Sequence, residues 1–440
     1  MADDSVVTRR EFMVASGTAA ATILASTTGL AAPAPRRRVA LVGTGIRGNT
    51  MWGKDVVARY ADVVEFVGLC DVNPLRVEAG KRMLGVSCPT FTRLDEMLDT
   101  VKPDALIVTT VDATHSACIT AALDRGIQVI TEKPMVVDET QCRTVLAAEK
   151  KAGRPIVVTF NYRYAPKHQA IKETLLSGAI GKVTSVDFAW YLDTVHGADY
   201  FRRWHRLKEK GGSLWVHKAT HHFDLVNWWL DAEPVEVQAF GSLQNYGKAG
   251  PFRHTHCRPC PHKARCPFYW DITKSPRLVD LYVKTESADG YLRDGCVFKE
   301  DVNIPDTMNA IVKYSTGATM SYSLNTFMPI EGYRLAFNGT KGRLEVRDYE
   351  RQPFPVAEET EIHLMKNFGA REKIEIPKAE GGHGGGDDRL RDLIFRGVTV
   401  PAHMRLPDSR AGAMSCLTGI AARHSMEEDR PIRIADLMGP

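Results

Sequence analysis

Four groups of side chains in this sequence have the types and spacing to do chemistry. Gly43-Thr44-Gly45-Ile46-Arg47-Gly48 is a G-x-G-x-x-G run, and Asp71 closes the apolar run that follows it. Glu132-Lys133-Pro134 comes directly after another apolar run, Gln128–Thr131. His217, His221 and Asp224 stand at i, i+4 and i+7, flanked by Lys218 and His222. Cys257, Cys260 and Cys266 form C-x2-C-x5-C, with Cys296 further on and His254, His256 and His262 nearby.

The glycine run sits between a strand-like and a helix-like stretch. In that setting Gly43 permits a tight turn, Gly45 lets the backbone approach a pyrophosphate, and Gly48 lets helix and strand pack closely. The helix N-terminus then offers unpaired N–H groups to phosphate. Asp71 can accept from a ribose diol and would repel a 2′-phosphate, so NAD is expected rather than NADP. Ile46 and Arg47 in the turn, Thr110 and His115 after the third strand, and Glu132 with Lys133 after the fourth are assigned to the same site. All lie at the carboxyl ends of strands, where such sheets bind ligands.

The two histidines at i and i+4 share a helical face. They are read as substrate-site residues, with metal ligation as the alternative. The cysteine cluster allows three readings: structural zinc on Cys257, Cys260, Cys266 and Cys296, an iron–sulfur cluster, or a disulfide with free thiols.

The elements that must position these groups follow from periodicity. Short apolar runs at 38–43, 63–70, 104–109, 128–131 and 156–159 alternate with helical stretches. That alternation predicts an α/β fold whose N-terminal half is a doubly wound parallel sheet of Rossmann type. Beyond about residue 165 the pattern becomes strand-like segments with alternating polarity at 183–190, 235–240, 309–314, 319–325 and 333–338. This predicts a C-terminal α+β domain with a largely antiparallel, open sheet. The expected organisation is a signal over 1–35, a dinucleotide-binding domain over 36–160, and a substrate and oligomerisation domain over 161–440. The last contains a cysteine-bearing insertion at 241–300 and helices across 387–428.

Composition sets limits. The chain has 440 residues, 44% hydrophobic and 25% charged, with a net charge of +4. This is globular composition with no basic excess that calls for nucleic acid. Arg9-Arg10, a mildly apolar run and the small residues near Ala31-Ala32-Pro33 read as a twin-arginine export signal, so a periplasmic or other extracytoplasmic location is expected. The apolar run is too interrupted for a stable membrane span. An exported enzyme meets no free NAD pool and would have to carry and regenerate its own cofactor.

With the glycine run, Glu132-Lys133-Pro134, Asn161-Tyr-Arg-Tyr-Ala-Pro166 and Gly339-Thr-Lys-Gly342, the sequence resembles the Gfo/Idh/MocA oxidoreductases. That family includes glucose–fructose oxidoreductases and inositol dehydrogenases. The resemblance implies that Lys133 lies between nicotinamide and substrate and acts on the hydroxyl being oxidised, with a cis peptide before Pro134. It aligns His221 with a family histidine of acid–base or substrate-binding role, and Asp224 with a family acid. His217 replaces the family's usual aspartate, and Ala219 a usual glycine. His217 is therefore grouped with Lys133 and His221 as catalytic. Arg163, Trp204, His205, Arg206, Lys218, His222, Asp224 and His383, in the loop Gly381–Gly386, are assigned to a carbohydrate. The expected activity is NAD-dependent oxidation of a sugar or glycoside hydroxyl with tightly held cofactor. The alternative is a glycosidase that oxidises, eliminates, adds water and re-reduces, as some relatives of the family do. The open sheet face points to a homo-oligomer.

Overall fold

The computed structural model describes residues 35–351, 360–378 and 381–439. The twin-arginine segment lies outside them. The first sheet is built from short, almost wholly apolar strands. These are β1 (Arg37–Val42), β2 (Val64–Cys70), β3 (Thr90–Phe91), β4 (Ala105–Val108), β5 (Gln128–Thr131) and β6 (Val157–Val158). They lie in the order β3-β2-β1-β4-β5-β6 and every pairing is parallel. Continuous apolarity is what burial on both faces demands: Val39–Val42 and Ala105–Val108 are buried throughout. Helices enter and leave this sheet on local signals. Asn73 caps Pro74–Leu84 by accepting from the Arg76 N–H, Asp138 caps Glu139–Ala152, and Gly85 and Gly153 end these helices in left-handed geometry. The order reverses between β1 and β4, which opens a crevice at their carboxyl ends.

The second sheet has nine strands in the order β14-β13-β12-β11-β7-β10-β9-β8-β15. They are β7 (Val183–Asp193), β8 (Pro234–Ser242), β9 (Thr307–Tyr314), β10 (Thr319–Met328), β11 (Glu331–Gly339), β12 (Gly342–Arg351), β13 (Thr360–Lys366), β14 (Arg371–Lys373) and β15 (Ile432–Arg433). Strand β10 runs parallel to β7 and the other pairings are antiparallel, so the sheet is mixed. Alternate residues of β9 and β10 are buried, and the helices Ala219–Leu230 and Ser409–Glu428 contribute to the same core. Strands β12 to β14 go beyond the five segments expected from periodicity. Among the described residues no helix is long and apolar enough to cross a membrane.

The i, i+4, i+7 spacing of His217, His221 and Asp224 implies one continuous helix. Instead Leu214–His217 ends at Lys218, and a new helix, Ala219–Leu230, begins after it. The cause is visible in the hydrogen bonds. The His217 N–H donates to the Ser213 carbonyl, whereas the His221 N–H reaches only to that of Lys218. The chain tightens to an i−3 pattern there, and His217, His221 and Asp224 serve different neighbours.

Candidate active site

A single cavity of about 1040 Å³ runs from the glycine turn across the ends of β1, β4 and β5 to the helix start at Lys218. At its first end the turn is dictated by packing. Gly43 has φ +91, and a Cβ there would stand 2.6 Å from the Thr109 carbonyl carbon; one at Gly48 would stand 2.1 Å from the Gly43 carbonyl oxygen. Only glycine fits either position. At Gly45 an added Cβ would meet nothing closer than the Tyr282 hydroxyl, at 3.2 Å. That hydroxyl accepts a hydrogen bond from the Ile46 N–H at 2.8 Å. A neutral oxygen thus sits on an amide that a phosphate oxygen would claim. Asp71 lines the cavity and is oriented by the Thr44 N–H (2.8 Å), the Thr44 hydroxyl (3.1 Å) and the Asn73 N–H (3.0 Å). Glycine cradle, amide donor and oriented carboxylate together fit a dinucleotide.

Further along, Arg47 Nε and Trp52 Nε1 both donate to Glu132 Oε1 at 2.7 Å. Burial raises the Glu132 carboxyl, but Arg47, Trp52 and Lys133 outweigh it and hold the group below its usual range. Lys133 follows, and its peptide bond to Pro134 is cis. Its ammonium donates to the His217 carbonyl oxygen at 3.1 Å. Burial pushes the Lys133 ammonium down to about 8, against the opposing pull of Asp112 and Glu132.

His217 turns its ring to Asp112, with Nδ1 to Oδ2 at 2.5 Å. Asp112 is 3% exposed, and it was not anticipated from sequence. Burial pushes the Asp112 carboxyl up and the His217 imidazole well down, the latter helped by the charge of Lys133, so the imidazole is neutral. His205 packs edge-on to His217 with centroids 4.1 Å apart and is itself stacked on Trp204 at 3.6 Å. His221 lies flat on Tyr162 at 4.2 Å. Burial, with Lys133 and Lys218 nearby, keeps it uncharged, and its Nδ1 is buried without a hydrogen-bond partner. Lys218 stands 4.7 Å from the Trp190 ring centroid. His383 reaches the cavity from the glycine loop with Nδ1 3.0 Å from Asp387.

The cavity therefore gathers Gly43, Gly45, Ile46, Arg47, Asp71, Thr110, Glu132, Lys133, Trp204, His205, Arg206, His217, Lys218, His221 and His383. Gly48 supports the turn from behind. The remaining expected site residues lie elsewhere. His115 is buried between the Pro134 and Thr110 carbonyls. Arg163 and Asp224 satisfy each other in a bidentate ion pair (2.8 and 2.5 Å), which leaves neither for a sugar. His222 is stacked on Trp190 at 4.0 Å and bonded to the Tyr322 hydroxyl at 2.7 Å, inside the core. Residues that sequence reasoning missed include Asp112, Tyr282, Arg76 and Asp289.

The cysteine readings need correction. Cys257, Cys260, Cys266 and Cys296 line one small cavity, yet all nine cysteines are free thiols. Among the described residues no three His, Cys, Asp or Glu side chains are placed to hold a metal ion. The loop's order comes from elsewhere. Arg258 pairs with Glu286 at 2.6 Å and Asp294 at 3.1 Å, Arg202 donates to the Cys257 sulfur at 3.3 Å, and Phe252, Phe268 and Phe298 pack together.

Known proteins match most of this chain. The description "Oxidoreductase family, NAD-binding Rossmann fold" matches residues 37–160, and "Oxidoreductase family, C-terminal alpha/beta domain" matches 172–434. A putative oxidoreductase of Bacillus subtilis, YteT, is 39% identical over 91% of this chain and 98% of its own length. An inositol 2-dehydrogenase of Gluconacetobacter diazotrophicus is 26% identical over 64% of this chain and 78% of its own. Among solved structures, the aldose–aldose oxidoreductase of Caulobacter crescentus covers 91% of this chain and 100% of its own, at TM-score 0.60 and 18% identity. The WlbA dehydrogenase of Bordetella pertussis, in complex with NADH and UDP-GlcNAcA, covers 91% and 99% at TM-score 0.63 and 19% identity. These two likenesses speak for the fold. The chain belongs to the Gfo/Idh/MocA oxidoreductases, an enzyme family with an NAD-binding Rossmann fold.

Proposed function

We propose that this protein oxidises a secondary hydroxyl of a sugar or cyclic polyol and keeps its NAD between turnovers. The observation that carries this reading is that Lys133, His217 and His221 line the same cavity as the glycine turn and Asp71. Neutral imidazoles, a lysine and stacked aromatics suit a hydroxyl-rich, uncharged ligand. The names of the inositol and aldose enzymes among the relatives point the same way.

Gly43, Gly45, the Ile46 amide and Asp71 would hold the dinucleotide, which when bound supplies a hydride acceptor. The chain's own residues manage the proton. With its ammonium lowered to about 8, Lys133 is partly a free amine near neutrality and can take the proton of the reacting hydroxyl at Nζ. His217, with its proton held on Nδ1 by Asp112, offers Nε2 as an acceptor to a neighbouring hydroxyl. Trp204 and His205 line that end. Export by the twin-arginine route belongs to this reading, because a retained cofactor suits a compartment without free NAD. Cell fractionation checks that part.

The test is direct. Purified protein is denatured and the supernatant assayed for NAD; intact protein is then offered myo-inositol and an aldose panel while NADH is followed. Lys133→Ala should lower turnover on the best substrate by about 10²–10⁴-fold while NADH still binds. Wild-type turnover in that variant would remove the assignment of Lys133.

A further inference from the structure

At the Asp71 end of the cavity stands a residue that would ordinarily favour the other cofactor. Arg76, on the helix Pro74–Leu84, is buried and its Nη1 is 3.6 Å from Asp71. An arginine beside the second strand's terminal residue is the kind of donor that accommodates the 2′-phosphate of NADP, through paired, charge-assisted bonds. Here its remaining interactions are made with one segment between β8 and β9. Nη2 stands 2.8 Å from Asp289 as a close ion pair without aligned hydrogen-bond geometry, and Nε donates to the Leu281 carbonyl at 3.3 Å. The guanidinium lies 5.4 Å from the Tyr282 ring centroid and 5.9 Å from that of Tyr291. The segment is itself docked on the Rossmann half. Asn73 Nδ2 donates to the Thr285 carbonyl at 2.9 Å, the Tyr282 hydroxyl sits on the Ile46 amide, and Ile272, Leu281 and Tyr282 pack on Ala79.

We propose that Asp289 is a specificity-determining residue of the cofactor site: by holding Arg76 in an ion pair, it denies a 2′-phosphate its partner and makes the site selective for NAD. The proposal rests on the reading of this cavity as a nicotinamide dinucleotide site and adds to it a determinant from outside the Rossmann half. Charge bookkeeping supports it. Asp71 and Asp289 bring two negative charges and Arg76 one positive, leaving a net of one negative where NADP would bring further negative charge. Without Asp289 the corner becomes neutral and Arg76 is free to turn to a ligand.

The experiment is a fluorescence titration of the full chain, stripped of nucleotide, with NADH and with NADPH. Wild type should prefer NADH. Asp289→Asn should raise the affinity for NADPH relative to NADH by about tenfold, the size of one recovered charged hydrogen bond. Arg76→Ala placed on top should abolish that gain, and Asp289→Glu should keep the wild-type preference. Thermal melting confirms that each variant is folded; should Asp289→Asn not fold, Asp289→Ser serves in its place. An unchanged NADPH to NADH ratio in Asp289→Asn, or a gain that survives Arg76→Ala, overturns the proposal. Wild type that binds NADPH as well as NADH also overturns it, while leaving the nicotinamide reading intact. Wild type that binds neither nucleotide removes the reading underneath.

Discussion

Asp112 shows how one side chain sets the behaviour of two others. Its carboxylate fixes the His217 ring at 2.5 Å, and its charge raises the Lys133 ammonium against the lowering effect of burial. Two consequences separate in Asp112→Asn. The amide removes a negative charge, so the Lys133 ammonium falls further below about 8. Oxidation that needs the free amine rises with pH through that value, so the rising limb of kcat/KM should move to lower pH. The amide can also donate to Nδ1 and place the imidazole proton on Nε2, which costs the substrate one acceptor. The maximal kcat/KM should then drop about tenfold, the scale of one lost hydrogen bond. A pH profile of both proteins reads both effects, and nitrogen NMR of His217 reads the tautomer. A limb that stays in place would mean that Lys133 is not the titrating group. No local pattern marked Asp112, because its meaning comes from a histidine over a hundred positions away in the chain. Lys133 and the three glycines were legible because their setting is local: a strand that ends, a turn, a helix that begins. Arg163, His222 and Asp224 were misplaced for the opposite reason, since core ion pairing and ring stacking use the same residue types as a sugar site.

At the scale of elements, the strand–turn–helix unit at 37–60 makes its own prediction, because the three glycines are not equivalent. Alanine at Gly43 must adopt φ +91 and meet the Thr109 backbone at 2.6 Å, and alanine at Gly48 must meet the Gly43 carbonyl oxygen at 2.1 Å. Each should cost stability, about 1–3 kcal/mol for strain of this kind, and abolish NADH binding with it. Alanine at Gly45 meets only the movable Tyr282 hydroxyl, at 3.2 Å. It should melt like wild type and bind NADH more weakly. Thermal melting beside NADH titration gives the comparison, and a Gly45→Ala variant as unstable as Gly43→Ala would contradict it. The parallel strands were readable because burial on both faces forces unbroken apolar runs. Strands β12 to β14 were not, since Gly342–Arg351 and Arg371–Lys373 carry charges at many positions and lie toward one edge of the sheet. The stretch 241–300 has no periodicity for the same kind of reason. It folds over neighbouring elements by side-chain docking, and it delivers Tyr282 and Asp289 to a site whose sequence signature lies over two hundred residues earlier.

For the whole molecule, the nine-stranded sheet raises the question of what covers its outer face. Helices bury one side, while β9 turns Asn309, Ile311 and Lys313 outward and β8 turns out Gln238 and Phe240. Phe240 is 60% exposed and Ile311 54%. Ile311 is in register with Gln238 and Phe240 with Asn309, so the two apolar side chains are diagonal neighbours on one face. Further across the same sheet, Asp187, Glu345 and Glu361 are interspersed with Arg334, Arg343 and Arg347 around a concave surface. These charges are paired within the chain, Arg347 with Glu361 at 2.6 Å and Arg343 with Asp187 at 3.5 Å, so the face is near neutral and, with its apolar spot, can meet a copy of itself about a two-fold axis. The expected outcome is a homo-oligomer in solution, seen by light scattering as at least twice the mass of one chain. Phe240→Glu together with Ile311→Glu places like charges at the centre of such a contact and should return the protein to single-chain mass. Both side chains are solvent-facing, so melting of the separated chains should change by little more than about 0.5 kcal/mol per site. The cavity that runs from the glycine turn to Lys218 shares no lining residue with the concave surface on this face, so NADH affinity should be the same in both forms. Wild type that scatters as a single chain at all concentrations would leave the face without a partner of its own kind.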